Sequence, residues 1–346
     1  MATSRKLLSV SLVFSAIACA ADPTLLNLVM PGAKIFAGVN VERILASPIG
    51  KEIDSKIREA APQLQEILNQ TGFDPRRDLK EILIAATAEG QNGPSLILVR
   101  GSFDAVKLGA YLASSGQIPV NYEGVPILSN PAQKSGAMAL LNSEIAIAGD
   151  LDQVQAAIHR RNHGTVLPGE MTSRIAALSE RYDIWFQSAV AIMPPSAKVS
   201  DPRFQQAGDL LRSIQQFSGG IKFSSGVDVA AEVVTHNEKE AASVLGALQL
   251  FTGFLTVNQQ NPGALKPDAI KLTAEGKTVR LALRITEEQL KKAYEMQQAR
   301  IASGKSGVSV TMGTPKSAPK PQPADTGLII QGSSRDMGTV HLPPSN

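Results

Sequence analysis

The order of expected elements most limits the fold of this chain, because one order occurs twice. In each half of the 346 residues, a strand pair, a helix, a second strand pair and a closing helix follow one another. The closing units, 149–160 and 285–296, both run from a hairpin directly into a capped amphipathic helix. Short turns join antiparallel strands, so we predict an α+β fold with two similar halves of antiparallel sheet and packed helices. The alternative explanation is that hairpin–helix units are common in unrelated α+β proteins.

This duplication and the composition together predict four parts of the chain. Residues 1–20 form a signal peptide, 21–165 the first half, 166–302 the second half and 303–346 a flexible tail. Each half has the length of an ordinary domain. The tail is rich in Ser, Gly and Thr, and such a segment cannot form a core. Its prolines are Pro315, Pro319, Pro321, Pro323, Pro343 and Pro344.

The first twenty residues have the order that is typical of a secretory signal. Arg5 and Lys6 precede an apolar run over 7–17, and the small residues of Ala18-Cys19-Ala20 follow. Cleavage after Ala20 would release the mature protein, whereas a lipobox would leave Cys19 as an acylated N-terminus. We favour release, because a lipobox normally has Leu where this chain has Ala16. The expected location is extracytoplasmic, periplasmic or secreted, with a lipoprotein as the alternative.

Composition and charge exclude several classes of protein. The single cysteine excludes an intramolecular disulfide framework and a multi-cysteine zinc or iron–sulfur site. The net charge is +3, and Arg5 and Lys6 contribute two of these units. A nearly neutral mature chain with one Trp is a poor nucleic-acid binder. No segment after the N-terminus is long and apolar enough to span a bilayer, so we predict no transmembrane helix after signal removal.

The histidines are the first candidates for a chemical site. His159 and His163 are four residues apart and would share one face of a helix, as metal ligands often do. No Glu follows the first of them as in a zincin motif, and cationic residues at a helix C-terminus also complement the helix dipole. We favour the dipole interpretation. His236 lies at a strand–helix junction among charged residues and is expected to be solvated.

Sequence motifs for catalysis are absent. The chain has neither a G-x-S-x-G nucleophile elbow nor a GxGxxG nucleotide fingerprint. The sequence therefore predicts no catalytic, cofactor-binding or metal-binding residue, and no cofactor.

The string GFDPRRDL at 72–79 is the most distinctive local segment. It could be an exposed loop that recognises a partner, but we favour a structural role. Phe73 would fill the core, Asp74-Pro75 would set a turn and Asp78 would pair with an arginine. The neighbouring arginines should keep the pKa values of Asp74, Asp78 and Glu81 low, which is unsuited to a general acid.

The segment 238–257 is almost wholly apolar after Ala242 and is predicted to be a helix. A buried helix that covers an antiparallel sheet explains this composition. The alternatives are one wall of an apolar ligand pocket and a surface that enters lipid.

Five strings resemble uncharacterised bacterial exported proteins with duplicated α+β halves. They are the signal, AKIFAGVNVERILASPIG, GFDPRRDL, DLDQVQAAIHRR and DIWF. The resemblance covers roughly residues 20–300. It implies an extracytoplasmic location and the two-half architecture, and it supplies no functional residues.

These observations favour a non-enzymatic binding or structural protein of the cell envelope. Its working surface would be a sheet face or the cleft between the halves, and its partner an envelope protein or a small ligand. One alternative is a secreted hydrolase with an unrecognised site. Another is a carrier of an apolar ligand that uses the helix around 245–255.

Overall fold

The protein is described by a computed structural model. It describes residues 21–51, 68–87, 93–114, 118–129, 135–163, 167–190, 210–257 and 269–302. The expected signal 1–20 and tail 303–346 lie outside the described residues. By compactness the chain divides into two units, 1–298 and 299–346. The strands and the faces described below belong to the first unit.

Strands and helices alternate in short runs along the first unit. The strands are β1 Ile35–Asn40, β2 Leu79–Ala86, β3 Ser95–Gly101, β4 Ile118–Tyr122, β5 Val125–Ser129, β6 Ser135–Leu140, β7 Ile145–Asp150, β8 Ile184–Ser188, β9 Ile214–Phe223, β10 Gly226–Thr235, β11 Ile270–Glu275 and β12 Thr278–Thr286. The helices are α1 Pro23–Leu26, α2 Val41–Ala46, α3 Pro75–Asp78, α4 Ala105–Ser114, α5 Leu151–His163, α6 Gly169–Arg181, α7 Glu238–Val257 and α8 Glu287–Ala302.

Within the described residues, the strands form one twelve-stranded antiparallel sheet. Its order is β11-β12-β10-β9-β8-β1-β2-β3-β7-β6-β5-β4. From the centre outwards, β1-β2-β3-β7-β6 on one side matches β8-β9-β10-β12-β11 on the other. The hairpin β4–β5 extends the sheet only in the first half. The predicted α+β class with antiparallel halves is therefore confirmed, and the two halves share a single sheet.

The halves meet where β1 pairs with β8. Gly38 lies opposite Trp185 in this register, and a Cβ at Gly38 would overlap the indole ring. Beside the strands, Arg43 on α2 forms an ion pair with the buried Asp183 at 2.7 Å. Arg43 also donates a hydrogen bond to the carbonyl oxygen of Ser179 at 2.7 Å. The junction thus depends on the lack of a Cβ at Gly38, which leaves room for Trp185, and on the positive charge of Arg43.

One face of the sheet, which we call the front face, carries the main core in the first half. Leu83 pairs with Leu98, and Leu98 pairs with Ile147, so all three side chains point to the same side. Helix α5 packs there because its apolar residues recur at spacings of three and four. Its fully buried residues are Val154, Ala157 and Ile158.

The second half distributes its side chains differently. On the back face, Ala241 and Val244 of α7 pack against Ile214, Val233 and Val279. On the front face, the side chains of β10 and β12 are mostly small or charged. The first half shows the reverse pattern, since isoleucines of its back face are partly exposed. These are Ile35, Ile84 and Ile97.

Several predicted elements are confirmed and others were missed. The sequence predicts Ser102 or Asp104 and Thr286 as helix caps and Gly72 as the end of a helix. In the structure Asp104 caps α4, Thr286 caps α8, and Gly72 has a positive φ of 71° after the helical residues 68–71. The helices α2 and α6 were not predicted. Helix α2 has only six residues and no buried side chain, so it shows little amphipathic periodicity. The predicted strand near 219–224 begins earlier, at Ile214.

No helix in the described part of the chain combines the length and the apolarity that crossing a membrane requires.

Candidate binding cleft

A cleft of about 850 Å³ lies on the front face of the second half. Its floor is the sheet from β9 to β11, one wall is the end of α6 and the other is the start of α8. Helix α6 and the residue after it supply Arg181 and Tyr182. The other polar and small residues that line it are Lys222, Asp228, Ala230, Lys271, Ala282, Arg284, Thr286, Glu288, Gln289 and Lys292.

Strand register explains why charged side chains meet on this floor. Ala230 and Ala282 are partners in the middle of the β10–β12 ladder, and their short side chains leave open space above the sheet. Two positions along each strand, Asp228 faces Arg284 across the same ladder. Since side chains alternate between faces of a strand, these charges project to the same side as the small residues.

Positive charge exceeds negative charge in the cleft, with five cationic side chains against two carboxylates. Arg284 lies 3.3 Å from Asp228, and Lys292 lies 2.7 Å from Glu288. Among the residues that the structure describes, no carboxylate pairs with Arg181, Lys222 or Lys271. Arg181 instead lies 5.2 Å from the centre of the Tyr182 ring. An unbalanced group of cations attracts anions to the cleft.

A second cavity of about 830 Å³ continues along the same strands. It shares Arg181, Tyr182 and Lys271 with the cleft, so the two form one groove. Its central cation is already paired, because Arg280 contacts Glu232 at 2.8 Å and Glu275 at 3.0 Å. Of the three cations named above, Arg181 and Lys271 line both cavities, and Lys222 lines only the cleft at the α8 end.

Tyr182 holds its place in the wall because the strand beneath it carries a glycine. A Cβ at Gly220 would overlap the Tyr182 side chain. Tyr182 is buried, and its backbone N–H donates to the carbonyl oxygen of Leu178 at 2.9 Å. The end of α6 is thereby fixed against β9, and Arg181 is positioned at the rim.

Two of the three described histidines, His159 and His163, lie side by side, and His236 lies elsewhere. His159 and His163 stack with ring centroids 4.0 Å apart near the end of α5. Glu123 joins them from the β4–β5 turn, with its carboxylate 2.7 Å from Nδ1 of His159. The hydrogen bonds from His159 and Asn162 lower the pKa of the Glu123 carboxyl. Sequence reasoning missed Glu123, because nothing local brings residue 123 near residue 159.

His236 is exposed, as expected, and lies 3.1 Å from Glu240. It belongs to neither the cleft nor the histidine pair. A cleft that held at least two of the three histidines with convergent carboxylates would favour the hydrolase alternative. The cleft described above is lined by none of them.

In the segment 72–79, the predicted pairing of Asp78 with an arginine is present, but Phe73 is half-buried and lies outside the core clusters. Phe73 stacks on Phe103 with centroids 5.5 Å apart, and Asp78 is buried beside Arg77 at 2.7 Å. A hydrogen bond from Arg76 lowers the pKa of Asp74, and one from Arg77 lowers the pKa of Asp78.

The prediction of a low pKa was wrong for Glu81. Burial raises the pKa of the Glu81 carboxyl, although the Arg100 charge and a hydrogen bond from the Asp22 backbone oppose the change. Arg100 is 3.4 Å away, which is too long for a strong hydrogen bond. Removal from water therefore outweighs the attraction to arginine, which the sequence could not reveal.

Helix α7 packs on the core of the second half along one side only, so the described residues fit the buried-helix interpretation in part. Leu245 and Leu248 pack on the cluster of the second half, while Leu250 is 72% exposed. An apolar cavity beside Leu248 and Phe251 would favour the carrier alternative, and the side chain of Phe251 lies outside the described residues.

The cleft residues were not singled out in the sequence, although a signal for them exists. The strands IKLTAE and TVRLALRIT alternate polar and apolar residues. Such alternation is typical of a sheet with one polar face. It marks Lys271 and Arg284, but it does not say that other strands add Lys222 to the same face.

Comparison with known proteins gives little further information. No family model and no curated protein matches this chain. The structure is similar to that of TP0453 in crystal form I, with a TM-score of 0.47 and 11% identity. This match covers 80% of the present chain and 99% of TP0453. Crystal form III of TP0453 also has a TM-score of 0.47 and 11% identity, over 78% of this chain and 97% of that one.

Proposed function

We propose that the protein is a non-enzymatic binding module and that its ligand is a small molecule with several anionic groups. The supporting observation is a group of cations in the front-face cleft, Arg181, Lys222 and Lys271, for which the described residues provide no carboxylate partner. Arg and Lys bind phosphate and carboxylate groups through charge-assisted hydrogen bonds. A volume of about 850 Å³ is also in the range of small-molecule sites.

Binding explains this cleft better than catalysis does. General acid–base catalysis near neutral pH requires a group that exchanges a proton there, most often His. The described residues that line the cleft include no His. Arg and Lys instead supply fixed positive charge, which suits recognition.

Calorimetric titration of the purified protein with tripolyphosphate and with citrate tests this proposal. We expect saturable binding of at least one of the two probes, weakened by added salt. Lys222→Gln and Lys271→Gln should each reduce the affinity by about 10- to 100-fold, because a hydrogen bond to a charged group contributes about 1.5–3 kcal/mol.

Lys239→Gln is the matched control, since Lys239 is exposed on α7 at the opposite face of the sheet. It removes the same charge and should leave the affinity unchanged. Equal losses in all three variants would mean that the probes respond only to net charge. Binding that is indifferent to Lys222 and Lys271 would exclude this cleft.

We further propose that the protein acts outside the cytoplasm after cleavage of residues 1–20. Their charged, apolar and small-residue order supports this. Ala16, where a lipobox normally has Leu, supports release over acylation at Cys19.

Mass spectrometry of the N-terminal peptide from native cells distinguishes these forms. Release predicts a mature chain that begins at Ala21. An acylated Cys19 would support the lipoprotein alternative, and intact Met1 on most molecules would contradict export.

A further inference from the structure

We propose that Glu123, His159 and His163 form a surface site for a divalent transition metal of the zinc class. One ligand-capable atom of each residue lies within 4.8 Å of the others. Two imidazoles and one carboxylate are a common donor set for Zn²⁺. The site is separate from the front-face cleft and does not depend on the function proposed for it.

The fold brings these residues together from two elements. His159 and His163 are four apart on α5 and therefore project from one side of the helix. Glu123 lies in the tight turn between β4 and β5, 36 residues away from His159. Asn162 also donates a hydrogen bond to Glu123, at 2.9 Å. The turn is therefore held against the helix before any metal binds.

Hydrogen bonds orient both imidazoles for metal binding. Nδ1 of His163 lies 2.9 Å from the carbonyl oxygen of His159. Nδ1 of His159 lies 2.7 Å from the Glu123 carboxylate. The contact with a carbonyl oxygen leaves Nε2 of His163 as its ligand atom, as in metal-ligating histidines with such partners. His159 and Glu123 already face one another. A metal ion bound by both replaces their hydrogen bond and takes Nδ1 of His159 and a carboxylate oxygen of Glu123 as ligands.

The arginines between the two histidines have partners of their own. Arg160 and Arg161 both donate to backbone carbonyls, of Leu28 and Leu141 respectively. The Glu123 carboxylate instead contacts His159 and Asn162. Among the described residues, Glu123 is therefore the carboxylate that completes a donor set with the stacked imidazoles.

The two-residue turn between β4 and β5 holds Glu123 in an uncommon backbone conformation. Among the described non-glycine residues, Glu123 alone has a positive φ, of 47°. Such a conformation favours Gly and Asn. The turn thus keeps a residue that is poorly suited to its backbone and whose carboxylate faces the histidines.

The ligand atoms need to approach one another for coordination. Zinc–nitrogen and zinc–oxygen bonds are about 2.0–2.2 Å long, so separations of up to 4.8 Å must shorten. All three side chains are exposed enough to rotate, because His159 is 53% exposed and Glu123 27%. Three protein ligands leave at least one position for water or for a ligand from another molecule.

Zinc titration of the full mature chain, expressed without a histidine tag and treated with chelator, tests the proposal. Competition with a chromophoric zinc indicator should show one site per chain. His159→Gln, His163→Gln and Glu123→Gln should each weaken zinc binding at least tenfold. His236→Gln is the matched control, because His236 also contacts a glutamate but has no second histidine beside it.

Two further readouts separate a metal site from a merely structural cluster. Co²⁺ in the wild-type site should give the intense visible bands of a tetrahedral complex, and His163→Gln should abolish them. Zn²⁺ should raise the midpoint of thermal unfolding of the wild type and of His236→Gln only. Wild-type protein without a saturable site, or His163→Gln with wild-type zinc affinity, would overturn the proposal.

Discussion

The two halves of the sheet have the same strand order, but they use their front faces in opposite ways. In the first half, Leu98 and Ile147 lie beneath α5 and are fully buried. In the second half, β10 and β12 are the topological counterparts of β3 and β7. Their front face carries Glu232 and Arg280 as register partners, both largely open to solvent.

This difference shows that backbone topology and side-chain burial can be separated. The hydrogen-bonded ladders of the sheet do not depend on which residues point to either face. Burial depends on the helix that follows: α5 has an apolar stripe directed at the sheet, whereas the start of α8 contributes charged residues to the cleft wall. One half therefore supplies most of the core, and the other half keeps an open, charged surface.

Leu98→Ala should produce the largest change, because it opens a cavity in the core of the first half. We expect the free energy of unfolding to fall by about 2–5 kcal/mol. Urea denaturation followed by fluorescence measures this change, since Trp185 is the only tryptophan and is buried. Arg280→Ala, in the second half, removes only exposed ion pairs and should cost less than about 1 kcal/mol. Equal losses in the two variants would contradict the contrast between the faces.

Gly38→Ala should have an intermediate effect, because it acts where the halves meet. The added methyl group would overlap the ring of Trp185. Displacement of a buried aromatic ring should lower the free energy of unfolding by about 1–3 kcal/mol and shift the Trp185 emission spectrum. Gly246→Ala is the control, since nothing lies within 4 Å of a Cβ added there in α7. The free energy of unfolding of that variant should rise by about 0.5–1 kcal/mol. A Gly38→Ala protein with the wild-type free energy of unfolding would refute the close contact between Gly38 and Trp185.

Glu81→Gln should have the smallest effect, which is visible mainly as a pH dependence. Burial raises the folded-state pKa of Glu81, so its ionisation opposes folding at neutral pH. This cost is fully present above the folded-state pKa and is lost as the pH falls towards the unfolded-state value. We expect the variant to be more stable than the wild type near neutral pH, with the difference closing in acid. Urea denaturation over a pH series measures it.

Asp78→Asn is the control, because its effect on stability near neutral pH should have the opposite sign to that of Glu81→Gln. A hydrogen bond from Arg77 lowers the folded-state pKa of Asp78, so its ionised form stabilises the fold. That contribution is present above the unfolded-state pKa and is lost as the pH falls through the folded-state pKa. The Asn variant should therefore be less stable near neutral pH. The same sign for both variants would show that the burial of Glu81 is not the cause.

Much of the secondary structure was predictable because its signals are local. Asp104 and Thr286 mark helix starts, and alternation in 278–286 marks a strand. The short helix α2 lacked such a signal. Pairing of β1 with β8 was not predictable, because the two strands are separated by more than 140 residues and pair through backbone groups common to all residues.

The candidate sites likewise combine features that local sequence predicts with contacts that it does not predict. Spacing alone placed His159 and His163 on one side of a helix, but their partner Glu123 comes from a separate hairpin. Lys222 and Lys271 lie on different strands and share a face only through the register with β10 and β12. The raised pKa of Glu81 required knowledge of its burial.

The sequence by itself determined the α+β class, the doubled order of elements and the helix caps, because hydrophobic period and capping act over a few residues. Only the tertiary structure decided that both halves share one sheet, which face of it is charged, and which distant side chains meet. Those outcomes depend on strand register and on burial, and both are set by contacts between residues far apart in the chain.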